Sequence, residues 1–449
     1  MFSLNLKPIL KNTYNMEKKQ PRYSTFFIEK DGEILPISVN KTGADILRMC
    51  NGKNTTTDII NSLAKKYNEV FGEVKESVAS FLKEMQRSDV IDYNADFRQI
   101  QNIEFGSRDF WTPDNIIVKI TDACLLKCKH CLDRDGENAS YIDEDIFYDI
   151  LFDMKSLNIK HMQIIGGEPL LHKDFFKFLN KAVELGISCE VFTSGYVYND
   201  EIINSFKEIK ESNKIVVQVS IDGMEKYHDS FRGIPGAFNK SMAFIDSMID
   251  LGITTNVACC MNNQDYNEIE NLTKILKNKG VSVMRVTPID NMGNTSNHAM
   301  FADIKNYNFV NEIVSKLKIS YEDKNFKINN NEKDICADTK SGLSNCGLGQ
   351  TQLKIDQFGK VYPCMISNLV IGDITKETIK SIQIRNSTIF EKLISPENKT
   401  CGGCNNSACS SCIVQELLIN ENTKNPCIWY DNQLKLINSI RCVNSLKVS

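Results

Sequence analysis

Short apolar runs alternate with helical segments across the middle of this 449-residue chain, and this alternation constrains the fold more than any other feature. The apolar runs are residues 116–120, 161–165, 189–193, 215–221, 255–260 and 283–288. The helical segments that follow them are residues 143–157, 174–185, 200–210, 238–251, 266–279 and 304–317. Regular strand–helix alternation favours a parallel sheet with helices packed on it. The sequence therefore predicts an α/β fold, an open partial (β/α)6 barrel.

Polar motifs follow several of the predicted strands. A cysteine-rich loop comes after the first strand and a Gly-Gly-Glu-Pro sequence after the second. Thr193, Ser194 and Gly195 follow the third strand, and Ser220 and Asp222 lie at the end of the fourth. Active sites of such folds lie at the carboxyl ends of the strands. Because four motifs fall on one rim, we expect a functional site there.

The cysteine-rich loop places Cys124, Cys128 and Cys131 in the spacing C-x3-C-x2-C. Three thiolates can hold three irons of a [4Fe–4S] cluster and leave the fourth iron open to a substrate. The same spacing also fits one face of a helix, where the cysteines would be core residues. Lys127 and Lys129 lie between the thiols, which favours a partly exposed loop.

These motifs carry a resemblance to a known family. The cysteine loop, the Gly-Gly-Glu-Pro sequence and the segments 219–223 and 228–233 resemble radical SAM enzymes. The C-terminal cysteine array resembles a SPASM domain, and the first hundred residues resemble the PqqD-like module that binds leader peptides of ribosomally made natural products. The resemblance covers nearly the whole chain and is greatest to peptide maturases that build thioether, sactipeptide-type crosslinks.

The resemblance implies a set of residues for S-adenosylmethionine (SAM). In this family SAM chelates the open iron, and one electron splits it to release a 5′-deoxyadenosyl radical. The implied SAM-binding residues are Gly166, Gly167, Glu168, Pro169, Ser220, Asp222 and Arg232. No residue that acts catalytically on the substrate is identified.

The Gly-Gly-Glu-Pro sequence suits this purpose, although alone it would be an ordinary turn. Gly166 and Gly167 have no side chain, so their backbone can approach a ligand closely. Glu168 can accept a hydrogen bond from the methionyl ammonium, and Pro169 stiffens the turn.

The roles of the downstream motif residues are less defined by the sequence. Arg232, together with Ser220, suits the methionyl carboxylate, with a surface salt bridge as the alternative. Asp222 either forms a turn before Gly223 or contacts the ribose. His130 occupies the place where the family has an aromatic residue against the adenine, but a packing imidazole is the preferred interpretation.

The C-terminal cysteines fit two further clusters by family connectivity, although two spacings are each one residue shorter than usual. A zinc site built from two C-x2-C pairs is the alternative. The first auxiliary cluster would take Cys346, Cys364 and Cys412, with Cys336 as a candidate fourth ligand. The second would take Cys401, Cys404, Cys409 and Cys427, which gives three [4Fe–4S] clusters in the chain.

The remaining cysteines belong to no motif. They are Cys50, Cys189, Cys259, Cys260 and Cys442. Three of them, Cys189, Cys259 and Cys260, fall in predicted strands, where a small buried apolar role is expected.

The N-terminal region reads as two strands, residues 22–28 and 34–39, followed by three helices, residues 41–50, 56–67 and 74–88. This order is typical of a winged-helix-like α+β module, and such modules commonly bind DNA. Acidic residues along or just before the third helix disfavour phosphate contacts. By the family resemblance, a leader peptide instead adds a strand to the open sheet edge beside the third helix.

The composition limits the partners. The net charge of −4 and the absence of a long basic run argue against nucleic acid. No apolar signal segment or membrane span is present, and sixteen cysteines in short-spaced groups indicate metal binding in a reducing, cytoplasmic setting. The expected partners are a precursor peptide with its leader and an external one-electron donor of flavodoxin or ferredoxin type.

The expected domains are a leader-recognition domain at residues 1–92, a linker at 93–113, a radical SAM core at 114–328 and a SPASM domain at 329–449. The leading functional hypothesis is a maturase that links cysteine sulfur to carbon. Other radical outcomes are carbon–carbon crosslinking, epimerisation and formylglycine formation. A winged-helix redox regulator is the non-enzyme alternative, but it leaves the Gly-Gly-Glu-Pro motif without a purpose.

Overall fold

The computed structural model describes residues 4–11, 14–30, 33–93, 101–131, 139–209, 212–262, 264–289, 304–330, 345–396, 412–421 and 427–445. The described residues form two compact units. The first ends at Thr112 and the second begins at Pro113.

The first unit contains a four-stranded sheet and three helices. Its strands are β1 (Ile9–Leu10), β2 (Tyr14–Lys19), β3 (Tyr23–Lys30), β4 (Glu33–Asn40), β5 (Ile91–Asp92) and β6 (Gln101–Gly106). The sheet has the order β4-β3-β2-β6, and the short strands β1 and β5 pair separately. Its helices are α1 (Lys41–Met49), α2 (Thr56–Tyr67) and α3 (Phe71–Arg87).

Local signals explain where these helices begin. The Asn40 side chain accepts a hydrogen bond from the Gly43 N–H at the start of α1. A capping box between Thr55 and Asp58 starts α2. The buried faces of the three helices share one apolar cluster with Phe26 of β3.

The expected linker between residues 93 and 113 is wrong in part, because it contains β6, which pairs in parallel with β2. Neither β2 nor β6 contains an apolar run that would indicate this pairing.

A buried polar contact stabilises β2. The Glu17 carboxylate is 1% exposed and accepts hydrogen bonds from Arg48, at 2.6 Å from Nε, and from Ser24. Burial opposes ionisation of Glu17, but the bonds from Arg48 and Ser24 hold its pKa below the usual value.

The second unit confirms the α/β barrel prediction. Its parallel strands are β7 (Asn115–Lys119), β8 (His161–Ile165), β9 (Ser188–Thr193), β10 (Ile215–Ser220), β11 (Thr254–Met261) and β12 (Val283–Pro288). The helices among and after them are α4 (Glu144–Ser156), α5 (Phe175–Glu184), α6 (Asp200–Lys207), α7 (Glu225–Arg232), α8 (Ala237–Asp250), α9 (Tyr266–Lys279) and α10 (Ile304–Tyr321).

The sheet continues beyond the barrel strands on both sides. The additional strands are β13 (Lys327–Asn329), β14 (Gln352–Ile355), β15 (Lys360–Tyr362) and β16 (Gly372–Asp373). Strand β13 pairs with β12, while β14 lies parallel to β7 and leads to β15 and β16. The C-terminal part of the chain therefore supplies a wall next to the first barrel strand.

Residues of the barrel strands alternate between the helix layer and the barrel interior. Val217 and Val219 of β10 belong to the core cluster, while Gln218 between them points to the other face. The helices α11 (Ile379–Phe390), α12 (Ile413–Glu421) and α13 (Ile428–Ser445) follow the last strands. Within the described ranges, we find no helix that is both long and apolar enough to cross a membrane.

Candidate active site

A cavity of about 1430 Å³ opens at the carboxyl ends of the barrel strands. Its lining includes all three cysteines of the C-x3-C-x2-C loop, namely Cys124, Cys128 and Cys131. Cys124 is exposed and the other two are partly exposed. The sequence prediction of a functional rim is supported, because motifs from separate strands line one space.

The cysteine loop is fixed by backbone hydrogen bonds. The N–H groups of Lys127 and Lys129 donate to the carbonyl oxygens of Arg232 and Phe231, at 2.9 and 3.1 Å. Residues 122–131, all of which are described, contain no helix. The alternative of core cysteines on a helix face is therefore wrong.

The two glycines of the Gly-Gly-Glu-Pro sequence lie against the cysteine loop. A Cβ at Gly166 would be 2.6 Å from the carbonyl oxygen of Thr121, and one at Gly167 would be 2.3 Å from that of Ala123. The Gly167 N–H donates to the Thr121 carbonyl at 2.8 Å. Glycine is needed at both positions because the backbone of the cysteine loop leaves no room for a Cβ. The sequence analysis predicted close approach of a ligand to these glycines, whereas the close neighbour in the structure is the cysteine loop.

Glu168 joins the ends of two strands. One carboxylate oxygen accepts from the Thr193 hydroxyl at 2.7 Å, and the other from the Ser194 N–H at 2.9 Å. The side chain is 1% exposed, and this burial raises its pKa although the hydrogen bonds oppose the shift. These hydrogen bonds fix the Glu168 carboxylate between the two strand ends. Its predicted contact with the methionyl ammonium of SAM stays a prediction.

Arg232 and Asp222 form a buried ion pair. The Arg232 Nε lies 2.6 Å from an Asp222 carboxylate oxygen, and its Nη1 lies 3.6 Å from the Cys128 sulfur. Burial penalises both charges, yet Arg232 holds the pKa of Asp222 low and Asp222 raises that of Arg232. Arg232 is 7% exposed, so the alternative of a surface salt bridge is wrong.

The predicted SAM-binding residues divide into two groups. Gly166, Gly167, Ser220 and Arg232 line the cavity. The other three, which are Glu168, Pro169 and Asp222, are buried behind it. Asp222 accepts a hydrogen bond from the Cys260 N–H at 3.1 Å in addition to the one from Arg232. Asp222 thus positions the Arg232 guanidinium, and its roles in a turn before Gly223 or in contact with the ribose stay predictions.

His130 packs face to face on Phe231, with ring centroids 4.6 Å apart and an angle of 13° between the rings. Burial, together with the nearby Arg232 charge, lowers the pKa of His130 to about 4, so the ring is neutral at physiological pH. This geometry agrees with the preferred interpretation of a packing imidazole.

Cys260 departs from its predicted buried role. Cys189 and Cys259 are buried in the core cluster, but Cys260 lines the cavity. Adjacent residues of a strand point to opposite faces, so Cys259 and Cys260 cannot both face the helices. Cys50 is buried in the first unit, and the side chain of Cys442 lies outside the described part.

The described C-terminal cysteines lie in a different setting. Cys364 belongs to the apolar core cluster, and Cys346, Cys412 and Cys427 pack against it. The other predicted ligands, Cys336, Cys401, Cys404 and Cys409, lie outside the described residues. The assignment of ligands to two auxiliary clusters therefore stays a prediction.

The cysteine loop fits a [4Fe–4S] cluster by its own chemistry. It offers three sulfur donors to one cavity, and the Arg232 guanidinium lies 3.6 Å from the Cys128 sulfur. Desolvation at the cavity wall raises the pKa of the Cys124 thiol to about 11, although a hydrogen bond from the Leu126 backbone opposes the shift. Iron binding would supply the charge that stabilises this thiolate.

Three family models match the chain. The radical SAM superfamily model matches residues 118–276, and the model of the SPASM iron–sulfur cluster-binding domain matches residues 346–412. The model of coenzyme PQQ synthesis protein D (PqqD) matches residues 30–91. The chain combines a radical SAM domain, a SPASM domain and a PqqD-like domain. It is a radical SAM enzyme.

Similar proteins span most of this radical SAM enzyme. The antilisterial bacteriocin subtilosin biosynthesis protein AlbA of Bacillus subtilis is 25% identical over 423 residues, covering 88% of this chain and 89% of AlbA. The sporulation killing factor maturation protein SkfB of the same species is 24% identical over 278 residues, covering 62% of this chain and 66% of SkfB.

A solved structure shows the same fold. Streptococcus suis SuiB bound to its precursor peptide SuiA has a TM-score of 0.62 at 13% identity, covering 93% of this chain and 98% of that chain. At this identity the likeness concerns the fold alone.

Proposed function

We propose that this radical SAM enzyme matures a ribosomally synthesised peptide by joining a cysteine sulfur of the peptide to one of its carbon atoms. What carries the proposal is the combination of radical SAM, SPASM and PqqD-like domains in one chain that is similar to AlbA over 89% of the length of AlbA. The likeness to SuiB supports a fold that can accept a precursor peptide.

The cysteine loop and Arg232 have defined tasks in this proposal. Cys124, Cys128 and Cys131 would hold the cluster, and Ser220 with Arg232 would orient the methionyl carboxylate of SAM. When bound, the reduced cluster and SAM supply a 5′-deoxyadenosyl radical, and the C-terminal clusters supply an electron acceptor. The buried Asp222 holds the Arg232 guanidinium in place for this contact.

The N-terminal domain would bind the leader at the free edge of β4. Ile34 and Leu35 of β4 are 65% and 40% exposed. Phe81 of α3 lies beside Val39 of the same strand, since both approach Gly43. An edge strand beside the third helix supports our proposal that a leader peptide adds a strand there. We also propose a cytoplasmic location and a flavodoxin- or ferredoxin-type electron donor.

Two serine variants test leader binding. Proline has no N–H to donate to a neighbouring strand, and Pro36 lies opposite Phe27 of β3. We therefore infer that the backbone nitrogen of Pro36 faces the open edge of β4. The backbone nitrogen of Ser38, two residues further along the strand, faces the same edge. Ser38→Pro should therefore remove a donor to the leader without breaking the ladder to β3. We expect leader affinity to fall by about tenfold, as for one strong hydrogen bond.

Ser38→Ala is the matched control, because it removes only the contact between the Ser38 and Thr25 hydroxyls. Its affinity should stay close to that of the unchanged protein in fluorescence anisotropy with a labelled leader. Equal binding by the proline variant would locate the leader elsewhere.

The crosslink itself is tested by mass spectrometry of the precursor peptide. A thioether replaces one S–H and one C–H bond, so each crosslink should lower the peptide mass by about 2 Da and remove one alkylatable thiol. The measurement follows full reduction, because a disulfide has the same mass. The same mass loss with all thiols still reactive would indicate a carbon–carbon bond. Solvent deuterium uptake without that loss would indicate epimerisation.

A further inference from the structure

The cysteine loop has two different sides. Cys128 and His130 line the cavity, while Lys127 and Lys129, which alternate with them in the chain, do not. Both lysines are exposed. The thiol side of the loop therefore faces the cavity, and the ammonium groups face the solvent outside it.

Helix α7 extends the outer side of the loop. The Lys129 Nζ donates a hydrogen bond to the Ser230 hydroxyl at 3.3 Å. Lys226 is exposed and lies four residues before Ser230, so these two side chains share one face of the helix. The loop and the helix together present Lys127, Lys129 and Lys226 to solvent, and we call these three residues the lysine patch.

The lysine patch carries more positive than negative charge. Across the described residues 122–131 and 225–232, the exposed charged side chains are the three lysines and Glu225. The Glu225 carboxylate accepts a hydrogen bond from the Asn239 amide at 2.8 Å. Clustered charges of one sign raise the rate at which a partner of opposite charge associates. The patch therefore suits an acidic partner.

Packed aromatic rings hold the patch in place. Phe231 is 3% exposed and stacks on the rings of both His130 and Tyr227, at centroid distances of 4.6 and 5.6 Å. The same end of α7 accepts the backbone hydrogen bonds from Lys127 and Lys129. A surface fixed in this way loses little conformational entropy when a partner binds.

The patch also lies directly behind a residue that would hold the barrel cluster. Cys128 separates Lys127 from Lys129, and consecutive Cα atoms are about 3.8 Å apart. A partner on the patch is therefore close to a cluster ligand, and it leaves the cavity open to SAM and the peptide. Proteins that exchange electrons form small interfaces, and complementary charges orient them.

We propose that the lysine patch docks the acidic, flavodoxin-type redox protein that reduces the barrel cluster. One electron passes from the reduced donor to the oxidised cluster, and no bond forms or breaks in this step. The inference rests on the proposed radical chemistry and names the surface that its electron donor uses.

A purified acidic flavodoxin serves as the donor in the test. Calorimetry measures the binding of its oxidised form to the reconstituted enzyme, and chromatography measures the 5′-deoxyadenosine made with its reduced form. Lys127→Gln, Lys129→Gln and Lys226→Gln together should weaken flavodoxin binding about tenfold at low salt. The difference should vanish in about 1 M salt, where charges act over only about 3 Å.

A second triple variant is the matched control, with Lys155→Gln, Lys160→Gln and Lys207→Gln. These three lysines are exposed, and their replacement changes the net charge by the same amount. Lys155 and Lys207 lie at the ends of α4 and α6, and Lys160 directly precedes β8. All three therefore lie near the amino ends of the strands, opposite the cysteine loop. The control should bind flavodoxin as the unchanged enzyme does.

Two outcomes would overturn the proposal. The first is equal flavodoxin binding by the patch variant and the control at low salt. The second is an equal loss of 5′-deoxyadenosine when dithionite replaces flavodoxin, because the defect would then lie in the cysteine loop itself. If dithionite supports crosslinking of the precursor peptide while flavodoxin binding ignores the patch, this inference fails and the proposed function stands.

Discussion

The two cysteine-rich regions of the second unit differ in what surrounds the sulfur atoms. The cysteines of the barrel loop line an open cavity, and Cys124 among them is exposed. The described C-terminal cysteines pack in or against the apolar core, and Cys364 is 9% exposed. Cluster potential and reactivity depend on solvent access and on nearby charges.

This difference indicates a division of labour. An open, polar surrounding lets a ligand reach an iron directly, and Arg232 beside Cys128 can hold an anionic ligand there. An apolar surrounding keeps water and ligands away, which suits electron transfer. The first region would therefore perform the chemistry, and the second would store electrons.

The largest effect is expected from the barrel loop. Replacing Cys124, Cys128 and Cys131 by alanine should remove about four irons and abolish 5′-deoxyadenosine formation. Among the described residues that line the cavity, Cys260 would then be the remaining cysteine, and one thiolate cannot hold a [4Fe–4S] cluster. Iron analysis and chromatography of the reaction measure both. Cys189→Ala is the control, since its thiol lies in the core. Remaining 5′-deoxyadenosine in the triple variant would contradict the proposed division.

A smaller effect is expected from the C-terminal cysteines. Cys364→Ala should lower peptide crosslinking by roughly 10- to 100-fold, as when a metal site loses a supporting group, while SAM cleavage continues. Product mass and 5′-deoxyadenosine are measured in the same reaction. If the variant binds stoichiometric zinc and still crosslinks, the C-terminal cysteines form a structural zinc site instead.

A third variant concerns stability of the barrel site. Asp222→Asn leaves the buried Arg232 charge without its partner and should destabilise the unit by about 3 kcal/mol. Urea unfolding followed by circular dichroism measures the change. Asp246→Asn is the control, because Asp246 pairs with Lys279 on the surface and its side chain is 48% exposed. A similar loss in both variants would argue against a special role for the buried pair.

The sequence predicts the barrel well because its strands are short, largely apolar stretches separated by helical segments at a regular spacing. It does not reveal β2 and β6, whose residues are mostly polar and whose pairing depends on contacts far along the chain. The cysteine loop is predictable because its ligands are close in sequence. The contact of Asp222 with the Cys260 N–H is not, because only the pairing of β10 with β11 brings these two residues together.

The smallest effect is expected from acid. The pKa of Asp222 is lower in the fold than its ordinary value of 3.8. Burial, the largest single influence, raises it, but the charge and hydrogen bond of Arg232 together with His130 and His228 lower it more. A carboxyl group with a lowered pKa stabilises the fold above its ordinary value, and this contribution is lost as the pH falls below 3.8 through the folded pKa. The unchanged protein should therefore lose more stability than Asp222→Asn when the pH falls below 3.8, measured without clusters so that iron loss does not interfere. If the stability of both proteins falls equally with pH, ionisation of Asp222 contributes nothing to the stability of the Asp222–Arg232 pair. The barrel site would then need another source of its rigidity.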